Sequence, residues 1–161
     1  MPETILVAED NESLRAGLVG ALEDDGLVVI PAANGVEAIQ AMESEPIHMV
    51  VSDIMLGDIS GVDILKKAKE INSETEVILM TAYATLDSAL QALRLGAFDY
   101  IQKPFDILQL KHRVGTALRV RKMREELDFF KKKQFRVELG EGTPVIENAG
   151  MKEIREKLSK V

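Results

Sequence analysis

Five side chains of this sequence are spaced so that strand ends could gather them: Glu9 and Asp10 directly follow one short apolar run, Asp53 a second, Thr81 a third and Lys103 a fourth. Crowded carboxylates repel one another, so a cluster of them is tolerated where a hard divalent cation neutralises it. Magnesium takes a few carboxylate oxygens, keeps several waters and binds a substrate phosphoryl group, and these acids therefore point to phosphoryl transfer. The remaining groups complement that chemistry. A carboxylate nucleophile can accept a phosphoryl group as an acyl phosphate, a lysine ammonium together with Mg2+ balances the developing charge, and a hydroxyl binds a phosphoryl oxygen. The plainer alternative is that each acid only caps the helix after its strand.

To bring these residues together, the strands must run parallel and end at one edge. Residues 4–8 read as a first strand, followed by the cap-rich turn Glu9-Asp10-Asn11-Glu12-Ser13 and a helix whose Leu14, Leu18 and Leu22 lie four apart on one face, with Gly26 as its stop. Further strands are expected over 27–30, 49–51 (running into Ser52-Asp53), 77–80 and 98–101. Helices are expected over 36–42, 62–71 and 86–95, the last ended by Gly96. This alternation predicts an α/β fold: a doubly wound, five-stranded parallel sheet of flavodoxin-like order 2-1-3-4-5 with a long C-terminal linker helix. Right-handed crossovers then place the ends of strands one, three and four around one crevice.

The 161 residues, 46% hydrophobic and 29% charged, suffice for one sizeable core and an appendage. The absence of cysteine excludes disulfides and thiolate zinc sites, and fits a cytoplasmic protein. No apolar run approaches the roughly 20 residues that span a bilayer, so no membrane partner is expected. The net charge of −7 is unevenly spread: residues 1–110 carry 19 acids against 6 bases, and residues 111–133 carry 9 bases against 3 acids. The acidic body would repel a polyanion, and the basic run reads as a solvated helix face rather than a DNA contact. From residue 107 to 134 there is no proline and one glycine, predicting a single helix of up to about 28 residues. Ile107, Leu110, Val114 and Leu118 form a stripe expected to pack on the domain, whereas Val120, Met123, Leu127 and Phe130 follow a 3-4-3 spacing. That second stripe is either a short coiled-coil seam between two copies or a cover for the chain's own sheet.

Taken together, Glu9-Asp10, Ser52-Asp53-Ile54-Met55, Thr81-Ala82, Gly96-Ala97-Phe98-Asp99-Tyr100 and Lys103-Pro104-Phe105 resemble the receiver domains of two-component response regulators, over about residues 3–120. The resemblance implies that Asp53 accepts a phosphoryl group from a sensor histidine kinase, and that Asp10, Asp53 and the backbone carbonyl of Met55 coordinate Mg2+, with Glu9 binding through water. It also implies that Thr81 moves toward the phosphoryl group, that Lys103 pairs with it across a cis Lys103–Pro104 bond, and that Tyr100 turns inward, a population shift between two states. Taken by itself, Tyr100 could equally be a half-buried residue with its hydroxyl in water. Gly57 stands where family members often carry proline, which predicts a more mobile loop with an extra acid, Asp58, that could perturb metal affinity. Met55 and Tyr83 occupy positions that in this family tune autodephosphorylation. His48 and His112 lack partners at ligand spacing and are expected to be structural or solvent-facing.

The expected organisation is a receiver over 1–120, a helical linker with a possible coiled coil over 121–144, and the start of an output domain over 145–161. Gly140-Glu-Gly142-Thr-Pro144 reads as linker and 151–158 as a short helix; Val145-Ile146 and Gly150-Met151-Lys-Glu-Ile154 are similar to the beginning of the AAA+ domain of NtrC-type activators. No Gly-x-x-x-x-Gly-Lys-Ser/Thr loop occurs, so nucleotide hydrolysis is not expected; the chemistry would be self-phosphorylation and autodephosphorylation, with DNA reached only through an output domain. Three other classes of protein fit the residues less well. An aspartate-nucleophile phosphatase would need an acid where Met55 stands, and a flavodoxin-like cofactor binder would need a phosphate-cradling loop where Glu9–Glu12 would repel phosphate. The third is a degenerate receiver serving as an unphosphorylated dimerisation module, and the intact acids, threonine and lysine argue against it.

Overall fold

The computed structural model describes residues 2–138 of the chain. Five parallel strands, β1 (Thr4–Ala8), β2 (Val28–Ala32), β3 (Met49–Asp53), β4 (Glu76–Thr81) and β5 (Asp99–Gln102), form one sheet in the order β2-β1-β3-β4-β5. Between them run α1 (Glu12–Asp24), α2 (Gly35–Ser44), α3 (Gly61–Ile71) and α4 (Leu86–Arg94), and α5 (Ile107–Glu138) follows the last strand. The expected fold class and strand order are both found.

Side chains alternate across the sheet because successive residues of a strand point to opposite faces. Leu6, Ala8, Val50, Val77 and Leu79 join a core with Ala38 and Met42 of α2, Ile64, Leu65 and Ala68 of α3 and Ala92 of α4. Ile5, Val7, Met49, Val51, Ile78 and Met80 join a second core with Leu18 and Leu22 of α1 and Leu110, Val114, Ala117 and Leu118 of α5. Helices on both faces explain why residues 5–8 of β1, 49–51 of β3 and 77–80 of β4 read as continuous apolar runs.

Several boundaries differ from the sequence reading. β2 begins at Val28 and continues through Pro31 to Ala32, following the register Ala8↔Ala32 with β1; it is an edge strand, where proline is tolerated. β5 is displaced by one residue, set by its pairing of Ile78 with Asp99. α5 runs four residues beyond Gln134, and Ile107 at its start is 37% exposed while Ala117 supplies the buried contact. Alanine at helical spacing carries too little apolar weight to be noticed in a periodicity count.

Residues Met1–Lys122 make one compact unit, and the chain from Met123 onward makes a second. In that second unit Met123, Leu127, Phe129, Phe130 and Phe135 on α5 are all exposed in the single chain. The expected linker at 140–144 and the expected helix at 151–158 lie outside the described residues.

Candidate active site

The carboxyl edge of β1, β3 and β5 delivers the acids and the lysine. Glu9 continues the line of β1, its N–H donating to the Ala32 carbonyl at 3.0 Å, and its side chain is 1% exposed; Asp53, the last residue of β3, is 6% exposed. Glu9, Asp10 and Asp53 each offer a carboxylate oxygen, all within 4.8 Å of one another. Lys103 Nζ donates to Glu9 Oε2 at 2.8 Å and to Asp53 Oδ2 at 2.5 Å. Helix capping does not explain these acids: the caps of α1 and α3 are Asn11, which accepts from Leu14 N–H at 2.9 Å, and Ser60, which accepts from Val62 N–H at 3.1 Å. Glu9 Oε1 does accept from the Asn11 N–H at 3.2 Å, so that one carboxylate serves both the turn and the cluster.

The electrostatics follow from crowding under partial burial. Burial pushes the Glu9 carboxyl up from 4.5 to about 6, and the neighbouring Asp53 charge adds to this, against the hydrogen bond from Lys103. Burial alone would depress Lys103, but hydrogen bonds and charge from Asp53 and Glu9 outweigh it and raise the ammonium above its ordinary value. Three hard oxygen donors with one resident ammonium suit Mg2+, which needs few protein oxygens.

The loop after β3 is closely tied down. Met55 N–H donates to Asp53 Oδ1 at 3.0 Å, Met55 pairs with Ser60 in an isolated antiparallel bridge, and Gly61 N–H donates to the Ile54 carbonyl at 2.8 Å. A Cβ at Gly61 would lie 2.4 Å from the Asp53 carbonyl oxygen and 2.7 Å from Ile54 Cα, so only glycine lets α3 start this close to the end of β3. Gly57 takes φ +91, a region open to glycine. Asp58 fastens this loop, accepting through Oδ1 from Gly35 N–H at 2.8 Å and Ile59 N–H at 2.7 Å, and through Oδ2 from Val36 N–H at 3.0 Å. These bonds, that from Gly35 foremost, hold the Asp58 carboxyl below its ordinary value.

Thr81 ends β4 and is 4% exposed; its Oγ1 accepts from the Tyr83 N–H at 3.1 Å. Tyr83 is 78% exposed and, with Leu14, Ala82, Lys103, Pro104 and Phe105, lines an open groove of about 530 Å³ beside the lysine. The Lys103–Pro104 bond is cis, as the resemblance implied. Tyr100 is half-buried with its hydroxyl 2.9 Å from Ser88 Oγ on α4, rather than in water. Sequence reasoning passed over Ser88, and it read Asp58 only as an extra acid near the metal, not as the clasp between the loop and α2. The capping pattern Thr85-x-x-Ser88 was the available sign of the first, and nothing local marked the second, because its partners lie more than twenty residues away in α2. His48 is structural: its Nδ1 accepts from the Thr4 N–H at 2.9 Å. His112 is exposed. Among the described residues no helix is long and apolar enough to cross a membrane.

Comparison with known proteins agrees with this geometry. The DNA-binding transcriptional regulator NtrC of Escherichia coli K12 is 39% identical over 103 residues, 64% of this chain and 22% of its own length, so most of that regulator has no counterpart here. A CheY-like receiver domain protein from Methanospirillum hungatei superposes with a TM-score of 0.74 at 27% identity, over 77% of this chain and 99% of that one. The beryllofluoride-activated NtrC4 receiver domain dimer gives 0.70 at 26% identity, over 73% of this chain and 98% of that one. The sequence profile of the response regulator receiver domain matches residues 5–115, and the chain belongs to that family.

Proposed function

We propose that this chain is the phosphoacceptor module of a two-component system, taking a phosphoryl group from a sensor histidine kinase onto Asp53. The observation that carries the reading is the joint placement of Glu9, Asp10 and Asp53 within 4.8 Å of one another with Lys103 Nζ 2.5 Å from Asp53. In the transfer a carboxylate oxygen of Asp53 forms the new O–P bond as the P–N bond to the kinase histidine breaks, and the acceptor's charge goes from −1 to about −2. Asp10, Asp53 and the Met55 carbonyl would hold Mg2+, with Glu9 acting through water; the bound ion would neutralise charge on the phosphoryl oxygens. Lys103 keeps its ammonium against the developing charge, and Thr81, once its hydroxyl leaves the Tyr83 N–H, supplies a hydrogen bond to a phosphoryl oxygen. Tyr100 follows by exchanging its Ser88 partner for an inward position, a population shift that the phosphoryl group drives by binding the active arrangement more tightly.

The wider reading has residues 1–120 as the receiver and 121–144 as a helical linker whose seam pairs two copies. Residues 145–161 would begin an AAA+ output domain of an NtrC-type transcriptional activator in the cytoplasm. DNA contact would then be indirect. The exposed Met123, Leu127 and Phe130 at seam spacing support the pairing.

The test is intact mass of the protein with and without acetyl phosphate and Mg2+, beside Asp53→Asn. A gain of one phosphoryl group, absent from the variant, is expected. No gain despite Mg2+ binding would overturn the reading in favour of an interaction module.

A further inference from the structure

The fastening of Asp58 to α2 is made from both sides. Its carboxylate collects the N–H groups of Gly35 and Val36, two of the four that the first turn of α2 leaves without a helical partner, and that of Ile59 in its own loop. Opposite it, Gly35 is buried, and a Cβ there would lie 2.4 Å from Ile59 Cβ and 3.1 Å from Asp58 Oδ1. The contact needs an acceptor on one element and a residue without a side chain on the other. α2 does not depend on this bond for its cap, since Asn34 Oδ1 already accepts from the Glu37 N–H at 2.9 Å and Glu37 Oε2 from the Ala33 N–H at 2.7 Å. What Asp58 adds is a tether on the stretch between Met55 and Ser60, which contains Gly57 at positive φ and no proline to stiffen it.

We infer that Asp58 is a positioning residue for the metal site: the clasp between Asp58 and Gly35 holds the 55–60 loop, and with it the Met55 backbone, in the form that Mg2+ binds. The inference rests on the proposed role of the acid cluster. Asp58 lies outside the group of carboxylates able to share a cation, and its oxygens are committed to backbone N–H groups, so it acts through the loop and not as a ligand. A loop ordered before the ion arrives spares binding the conformational entropy of ordering it afterward. Without the clasp, several residues beside the acceptor must be fixed by the ion itself.

The experiment compares Asp58→Ala, Asp58→Asn and Gly35→Ala with the unmodified protein, reading phosphorylation by acetyl phosphate across a Mg2+ titration, together with amide exchange at Val36 and Ile59. Breaking the clasp from either side is expected to raise the Mg2+ concentration for half-maximal labelling by about three- to tenfold, while the rate at saturating Mg2+ stays close to that of the parent. Gly35→Ala changes no charge, so an equal shift in it and in Asp58→Ala excludes simple loss of an acid near the cation. Asp58→Asn loses the charge but keeps one acceptor oxygen, and should lie between the parent and Asp58→Ala. Faster exchange at Val36 and Ile59 should accompany the shift. A lower melting temperature with an unmoved Mg2+ midpoint in Asp58→Ala and Gly35→Ala would overturn the inference while leaving the proposed function standing. A parent protein that neither binds Mg2+ nor becomes labelled would overturn the proposed function, and this inference with it.

Discussion

At the scale of residues, the site is a negotiation among three acids and one ammonium. Glu9 is where that negotiation is measurable, because its carboxyl is pushed up to about 6 from 4.5. An acid with a raised folded-state value holds its proton more tightly in the folded chain than in the unfolded one, so stability falls as pH rises through the interval between the two values. In Mg2+-free buffer stability should therefore fall as pH rises from about 4.5 through about 6. Urea unfolding of the parent and of Glu9→Gln over this range should show the slope in the parent and a reduced slope in the variant; parallel curves would remove the effect. The acids and Lys103 were legible in the sequence because each lies at or just beyond the end of a strand, and a strand's end fixes where the next side chains go. Ser88 and the clasp made by Asp58 were not, since a hydroxyl in a capping position and an acid in a loop look the same whether or not a distant element reaches them.

At the scale of elements, the two halves of the fold are unequally anchored. α1 buries Leu18 and Leu22, and α3 buries Ile64, Leu65 and Ala68, while α4 buries only Ala92 and leaves Leu86, Leu90 and Leu93 exposed. Its start is held by a reciprocal cap, Ser88 N–H donating to Thr85 Oγ1 at 3.1 Å and Thr85 N–H to Ser88 Oγ at 3.2 Å. A helix with so little buried area opens at low free-energy cost. Amide exchange in α4 is expected to be faster than in α1 and α3, and Thr85→Ala, losing a cap worth about 1 kcal/mol, should accelerate it further. Equal protection of α3 and α4 would refute this. Strong periodicity made α3 and α4 equally plain in the sequence; how firmly each is held was not, because burial depends on which neighbour covers the apolar stripe.

At the scale of the whole molecule, α5 carries two patterns in succession. Leu110, Val114, Ala117 and Leu118 are buried against the sheet, and Met123, Leu127 and Phe130 are exposed. Unpartnered apolar side chains at heptad spacing favour a second copy of the helix. Sedimentation velocity over a concentration series should show a monomer–dimer equilibrium, and Leu127→Glu should shift it to monomer; a parent that stays monomeric would exclude the seam. The fold class could be read from the alternation of strands and helices, since residues 5–8, 49–51 and 77–80 of β1, β3 and β4 are continuous apolar runs. The seam could be read only as a choice, because a short 3-4-3 stripe is compatible with either cover or partner.

The contact between Lys103 and two acids also sets a valence. At neutral pH, with Glu9 ionised, Glu9, Asp10 and Asp53 contribute −3 and Lys103 +1, so the cluster stands at −2 and one divalent ion brings it to electroneutrality. A monovalent ion leaves it negative and a trivalent one makes it positive. In the proposed phosphorylated state about one further negative charge would enter the centre, to be met by the lysine and nearby backbone dipoles. Lys103 is thus a fixed counter-ion within the cluster, offsetting one of its three carboxylate charges before any ion arrives.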